Sequence, residues 1–167
     1  MKQKSFSLIE ILLYISMVSI IILAVSTLLA MILNARIKTE TMLEVESQGQ
    51  FLVETITKSI NEAQSVNLPA AATTGDSLSL ATNDVNTTPT VYALSSGALT
   101  IAEGALPNEK LTNSKITVSN LNFTNTQNAG STSGAIQVNF TISFNNTSNR
   151  NEYDYQKTFQ TTASIEK

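Results

Sequence analysis

The 167-residue chain is 42% hydrophobic and only 14% charged, with a formal net charge of −3. That length suits one domain, or one domain plus an appended segment, and the acidic balance excludes a broad electrostatic grip on nucleic acid. The absence of His and Cys removes the commonest general base near neutral pH, thiolate nucleophiles, disulfides, zinc knuckles and iron–sulfur ligation together. The fold must therefore be held by burial alone, and any chemistry would fall to carboxylates, Ser, Lys or Tyr.

Residues 11–33 carry no charge and include Ile11, Leu12, Leu13, Ile20, Ile21, Ile22, Leu28, Leu29 and Leu33. At ~1.5 Å per residue, a helix of this length covers a bilayer core of about 30 Å. Lys2 and Lys4 precede the stretch, and Arg36 and Lys38 follow it. A cleavable secretory signal has a shorter apolar core of about 7–15 residues, so a retained membrane helix is expected. Glu10 stands at the leading edge of the apolar run, between Ile9 and Ile11. A carboxylate inside hydrocarbon is costly, so it either stays wet at the headgroups or has a cationic partner.

The order Lys4-Ser5-Phe6-Ser7-Leu8-Ile9-Glu10-Ile11-Leu12-Leu13 resembles the N-terminal signal of type IV prepilins and type II secretion pseudopilins. The resemblance implies cleavage between Ser5 and Phe6 by prepilin peptidase, on the cytoplasmic face, and N-methylation of Phe6. It implies that the apolar helix first anchors the protein in the membrane and later packs in the core of a filament. The implied partner of Glu10 is the N-terminal amine of Phe6 on an adjacent subunit, since a buried carboxylate and a buried ammonium neutralise one another. The other implied partners are further pilin or pseudopilin subunits and a membrane assembly platform with a separate ATPase. The chain departs from the family at Ser5, where Gly is usual, and at Val25-Ser26-Thr27-Leu28, where many major pilins have a Pro. The second departure, like a weaker likeness in the order of segments, points to minor subunits of the J or W type.

Beyond the membrane stretch, no Pro interrupts residues 37–66, and Val45, Leu52, Ile56, Ile60, Ala63 and Val66 recur mostly three or four apart. That spacing predicts an amphipathic helix with Phe51 beside its apolar stripe. Glu40, Glu44, Glu46, Glu54, Lys58 and Glu62 form the other, solvated face, with Glu54 and Lys58 placed for an i,i+4 ion pair. Gly49 costs about 1 kcal/mol in a helix interior and is expected to mark a flexible point. Asn67-Leu68-Pro69 should end the helix. After Pro69, loops rich in Asn, Ser, Thr and Gly separate candidate strands at 77–81, 90–94, 98–102, 115–123, 135–144 and 153–165. Ile136, Val138, Phe140, Ile142 and Phe144 alternate with polar residues, the mark of a sheet buried on one face. Ser95-Ser96-Gly97 reads as a tight hairpin turn, and 145–151 as a longer one.

The expected fold is α+β and pilin-like, a long N-terminal helix packed on an antiparallel β-sheet head. Its segments are a leader at 1–5, a membrane and filament-core helix at 6–36, an amphipathic helix at 37–68 and the β head at 69–167. In the head, Asn83-Asp84-Val85-Asn86 lacks the Gly and distal Glu of a calcium loop and reads as a polar turn. Asp76, Glu103, Glu109, Glu152 and Asp154 are scattered. Asn86, Asn122 and Asn139 each begin a glycosylation sequon, a chance match in a chain so rich in Asn and Thr. No catalytic residue, metal site or cofactor is assigned. Two classes of function stay open. One is a structural subunit of a type IV pilus or pseudopilus, first single-pass in the cytoplasmic membrane with its head outside the cytoplasm, then in an extracellular filament. The other is a tethered extracytoplasmic binding protein or enzyme whose head acts without assembly. Glu10 and the Phe6 boundary favour the first, because a simple tether needs no carboxylate in its apolar run.

Overall fold

The computed structural model describes residues 7–127 and 134–165. The chain divides into two compact units, Met1–Thr39 and Glu40–Lys167, and one helix, α1 (Leu8–Glu62), runs through the boundary.

In the first unit the large apolar side chains of α1 are exposed. The helix is long and apolar enough to cross a membrane. Its few hydroxyls cause no conflict with an apolar surrounding. Ser16, Ser19, Ser26 and Thr27 each donate to a carbonyl of the preceding turn, at 2.8–2.9 Å, so these four hydroxyl protons are satisfied within the helix.

In the second unit the rest of α1 packs on two antiparallel sheets, an α+β architecture. Among the described residues the strands are β1 (Ser65–Leu68), β2 (Thr74–Gly75), β3 (Leu78–Ala81), β4 (Thr90–Ser95), β5 (Ala98–Glu103), β6 (Glu109–Lys110), β7 (Ile116–Asn125), β8 (Ala135–Phe144) and β9 (Gln156–Ser164). One sheet has the order β1-β3-β4-β5-β6, the other β2-β7-β8-β9. The expected antiparallel β head is present, with its strands divided between two sheets that share the core. Val45, Leu52, Ile56 and Ile60 of α1 meet Leu78, Leu80, Tyr92 and Leu99 of the first sheet and Phe123, Val138, Phe140 and Ile142 of the second, all fully buried. Ile136 is buried with them, while Phe144 at the strand end is only partly so. The alternation along β8 thus points to the core as its pattern requires.

The hairpin between β4 and β5 turns on Ser96 and Gly97, both at positive φ (50° and 76°), as a two-residue type I′ turn demands. That turn also joins the sheets, because Val118 N of β7 donates to Gly97 O at 2.8 Å.

Four expectations are corrected. The helix ends at Glu62 rather than near residue 68, and Val66 lies in β1 opposite Leu80. Gln64 N donates to Ala81 O at 2.8 Å, so the edge of β3 captures the chain where Ser65, Val66 and Asn67 are poor helix formers. Gly49 is not a hinge but a buried helix position facing the ring of Phe159. Tyr153 closes a short 3-10 turn, Asn151–Tyr153, and β9 starts three residues later. Lys58 pairs with Glu62, at 4.0 Å, instead of Glu54.

Candidate functional site

The residues with the clearest functional pattern lie at the N-terminal end of α1. Glu10 is in the first turn, with its main-chain N–H donating to Ser7 O at 3.0 Å. A carboxylate there faces the positive end of the helix dipole, which favours it without any partner. Ser5 and Phe6, the expected cleavage position, lie outside the described residues.

C-terminal to Glu10, Ile11, Leu12, Leu13, Ile20, Ile21, Ile22, Leu28, Leu29 and Leu33 are 49–69% exposed. They face all sides of the helix, since i, i+1 and i+2 positions are ~100° apart around its axis. An apolar surface this large and continuous has the length and composition of a membrane-crossing helix.

Two carboxylates of the solvated face also reach across to side chains of the head. Glu44 Oε1 accepts from Asn113 Nδ2 at 2.7 Å, and its Oε2 lies 3.8 Å from Lys115 Nζ. Glu46 Oε1 accepts from Lys157 Nζ at 3.0 Å and from the Tyr155 hydroxyl at 3.4 Å. The hydrogen bond and charge of Lys157 pull the Glu46 carboxyl below the usual range, and the same bond pushes Lys157 up. No local pattern could reveal these pairs, whose members are about seventy to over a hundred residues apart. Elsewhere on α1, the Ser59 hydroxyl meets Tyr92 Oη at 2.6 Å. Burial raises the Tyr92 hydroxyl above its ordinary pKa, the Ser59 bond opposes this, and the charges of Glu103 and Glu62 add to the rise.

The scattered acidic groups of the head form no cluster of three among the described residues. Asp84 Oδ1 accepts from the main-chain N–H and side-chain amide of Asn86, at 2.9 and 3.1 Å, which folds 83–86 into a polar turn. Glu152 pairs with Arg150 at 3.3 Å. Glu103 and Glu109 border a shallow pocket of about 360 Å³ with Ile101, Leu106 and Pro107. Among the described residues, no three His, Asp or Glu side chains come together as metal ligands. A larger groove of about 830 Å³ opens between α1 and β9. Of the sequon residues, Asn122 and Asn139 face each other on the outer side of the second sheet, with Phe123 and Phe140 buried beneath them.

No protein-family model, no characterised protein and no solved structure matches this chain.

Proposed function

We propose that the protein is a structural subunit, and a minor one, of a type IV pilus or pseudopilus. The observation that carries this reading is the single carboxylate of Glu10 in the first turn of a helix that is otherwise apolar and exposed throughout its membrane-length stretch. Prepilin peptidase cuts between Ser5 and Phe6, and Phe6 becomes the N-methylated terminus. The helix then anchors the protein in the cytoplasmic membrane, head outside the cytoplasm, until a platform with its own ATPase moves it into a filament. There the surrounding lipid is exchanged for other apolar helices, and Glu10 meets the amine of Phe6 on its neighbour. Lipid bilayer, peptidase and fellow subunits are the partners, and the head performs no catalysis.

Intact mass and N-terminal analysis of the protein extracted from membranes tests this. The expected species begins at methylated Phe6 and retains the helix. An unprocessed Met1, or a terminus near residue 31 or 36, in cells that contain prepilin peptidase would sink it. Ser5→Gly should be cut at least as well as the native chain, and Ser5→Leu should block the cut.

A further inference from the structure

The second half of α1 and β9 run side by side in one direction: Glu46 meets Lys157, Gly49 meets Phe159, and Asn61 meets Ser164. Between them lies the groove of about 830 Å³, walled by Gln50, Glu54 and Thr57 of the helix and by Phe159 and Thr161 of the strand. β9 is the outermost strand of its sheet, nine residues long, and among the described residues no strand pairs with its far side. Such an edge presents a row of main-chain donors and acceptors, and the ligand that matches the row is another extended main chain. One end of the groove already shows this chemistry. The Asn61 side-chain amide, in the orientation that satisfies both its polar atoms, donates to Ser164 O at 2.9 Å. Along the helix wall, Thr57 Oγ1 is buried with no hydrogen-bond partner among the described residues.

We propose that this groove takes up an extended segment of a neighbouring filament subunit, which adds as a strand to β9 and sets a basic side chain against Glu54. The proposal rests on the filament reading above. Its charge requirement follows from the pairs already made. Lys157 is neutralised by Glu46 and Lys58 lies near Glu62, whereas Glu54 makes no ion pair among the described residues. Val53 and Phe159 are apolar and only partly buried, so they offer a seat to one apolar side chain of the incoming strand, with its next residue turned outward. The segment is not the β9 of a second copy paired antiparallel. Because α1 and β9 run in the same direction, that pairing would make the two head helices enter the shared membrane from opposite sides.

The chain has no Cys, so a single Gln160→Cys in the full-length protein can carry a benzophenone cross-linker in the groove alone. Val85→Cys, on an exposed loop, is the control. In sheared filaments, the Gln160 probe should give an adduct containing a peptide of a subunit with the same type of N-terminal signal, and the control should not. Glu54→Lys turns attraction into repulsion and should cut the adduct about tenfold while membrane levels stay unchanged. If the chain is present in filaments but the adduct is absent, matches the control, or joins lipid or a protein that is not a subunit, the proposal is overturned and the filament reading stands. If the chain never appears in a filament fraction, both fall.

Discussion

The ring of Phe159 lies against the bare backbone of Gly49, so closely that a β-carbon added at Gly49 would clash with the outer edge of the ring, at its ζ and ε carbons. The ring is held there from two further sides. It stacks on Phe140 with centroids 5.6 Å apart, and Lys157 Nζ stands 5.5 Å from its centroid. A glycine in mid-helix, costly by propensity, is therefore what lets the edge strand of the second sheet close on α1.

The substitution Gly49→Ala sets two effects against each other. Ala gains about 1 kcal/mol in helix propensity, and displacing the ring costs about 1–3 kcal/mol as overpacking. The expected net effect is a loss of stability in urea denaturation of the fragment 37–167. In a Phe159→Ala background the same change should stabilise, because only the propensity gain is left. The same sign in both backgrounds would show that the ring does not press on Gly49.

The fragment itself is the second prediction. The compact unit Glu40–Lys167 contains the whole buried core, so removal of the membrane part should leave a soluble monomer that unfolds cooperatively. Phe140 is fully buried among both sheets and the helix, and Phe140→Ala should cost about 3–5 kcal/mol. A loss under about 1 kcal/mol would put β8 the other way round, with its polar face inward.

These two cases mark what a linear chain discloses. Ile136, Val138, Phe140 and Ile142 announced a strand and its buried face, because period-two alternation is local and the core needs nothing else from them. Ser96-Gly97 announced its turn for the same reason, since positive φ at both central residues selects such types. Gly49 could not announce Phe159, which is 110 residues away in sequence, nor could Glu46 announce Lys157. β2 and β6 are two residues each and exist only because a neighbouring strand offers a partner. The division into two sheets is non-local in the same way. At the N-terminal end, a basic leader, a lone carboxylate and an apolar run are all local, so Glu10 and its helix were legible, whereas Ser5 and Phe6 lie outside the described residues.

The titrating groups of the head give a third prediction, with opposite signs at the two ends of the pH scale. Glu46 is lowered by Lys157, so its contribution is present above the unfolded carboxyl value and is lost as pH falls through the lowered one. Glu46→Gln should remove that acid-side loss, and high salt should weaken it in the native chain, because both partners are substantially exposed. Tyr92 is raised by burial, so its contribution is complete below about pH 10, the unfolded value, and is lost as pH rises through the raised one. Tyr92→Phe should flatten the alkaline limb and cost about 0.5–1.5 kcal/mol at pH 7, by leaving Ser59 without its partner. Denaturation midpoints across pH 3–11 measure both limbs. A Tyr92 that titrates like free tyrosine by ultraviolet absorbance would contradict its burial.

The fourth prediction concerns Glu10, which separates a filament subunit from a tethered head. In a bilayer the first turn of α1 can keep this carboxylate at the headgroups, with the helix dipole in its favour. In a filament the same turn is surrounded by apolar helices, and the cation at the right depth is the Phe6 amine of an adjacent subunit. Glu10→Gln keeps the size and hydrogen bonding of the side chain and removes its charge, so it isolates the pairing. Breaking a buried pair in this way leaves an uncompensated ammonium and should cost about 3–5 kcal/mol at each docking event. Membrane insertion should be unaffected, since a neutral side chain enters more easily than a charged one. The expected outcome is a normal membrane level of the Glu10→Gln protein with little of it in sheared or secreted filaments. If the variant enters filaments as well as the native chain does, the pairing is not what drives docking; if no filament fraction contains the native chain, the tethered-head reading takes its place.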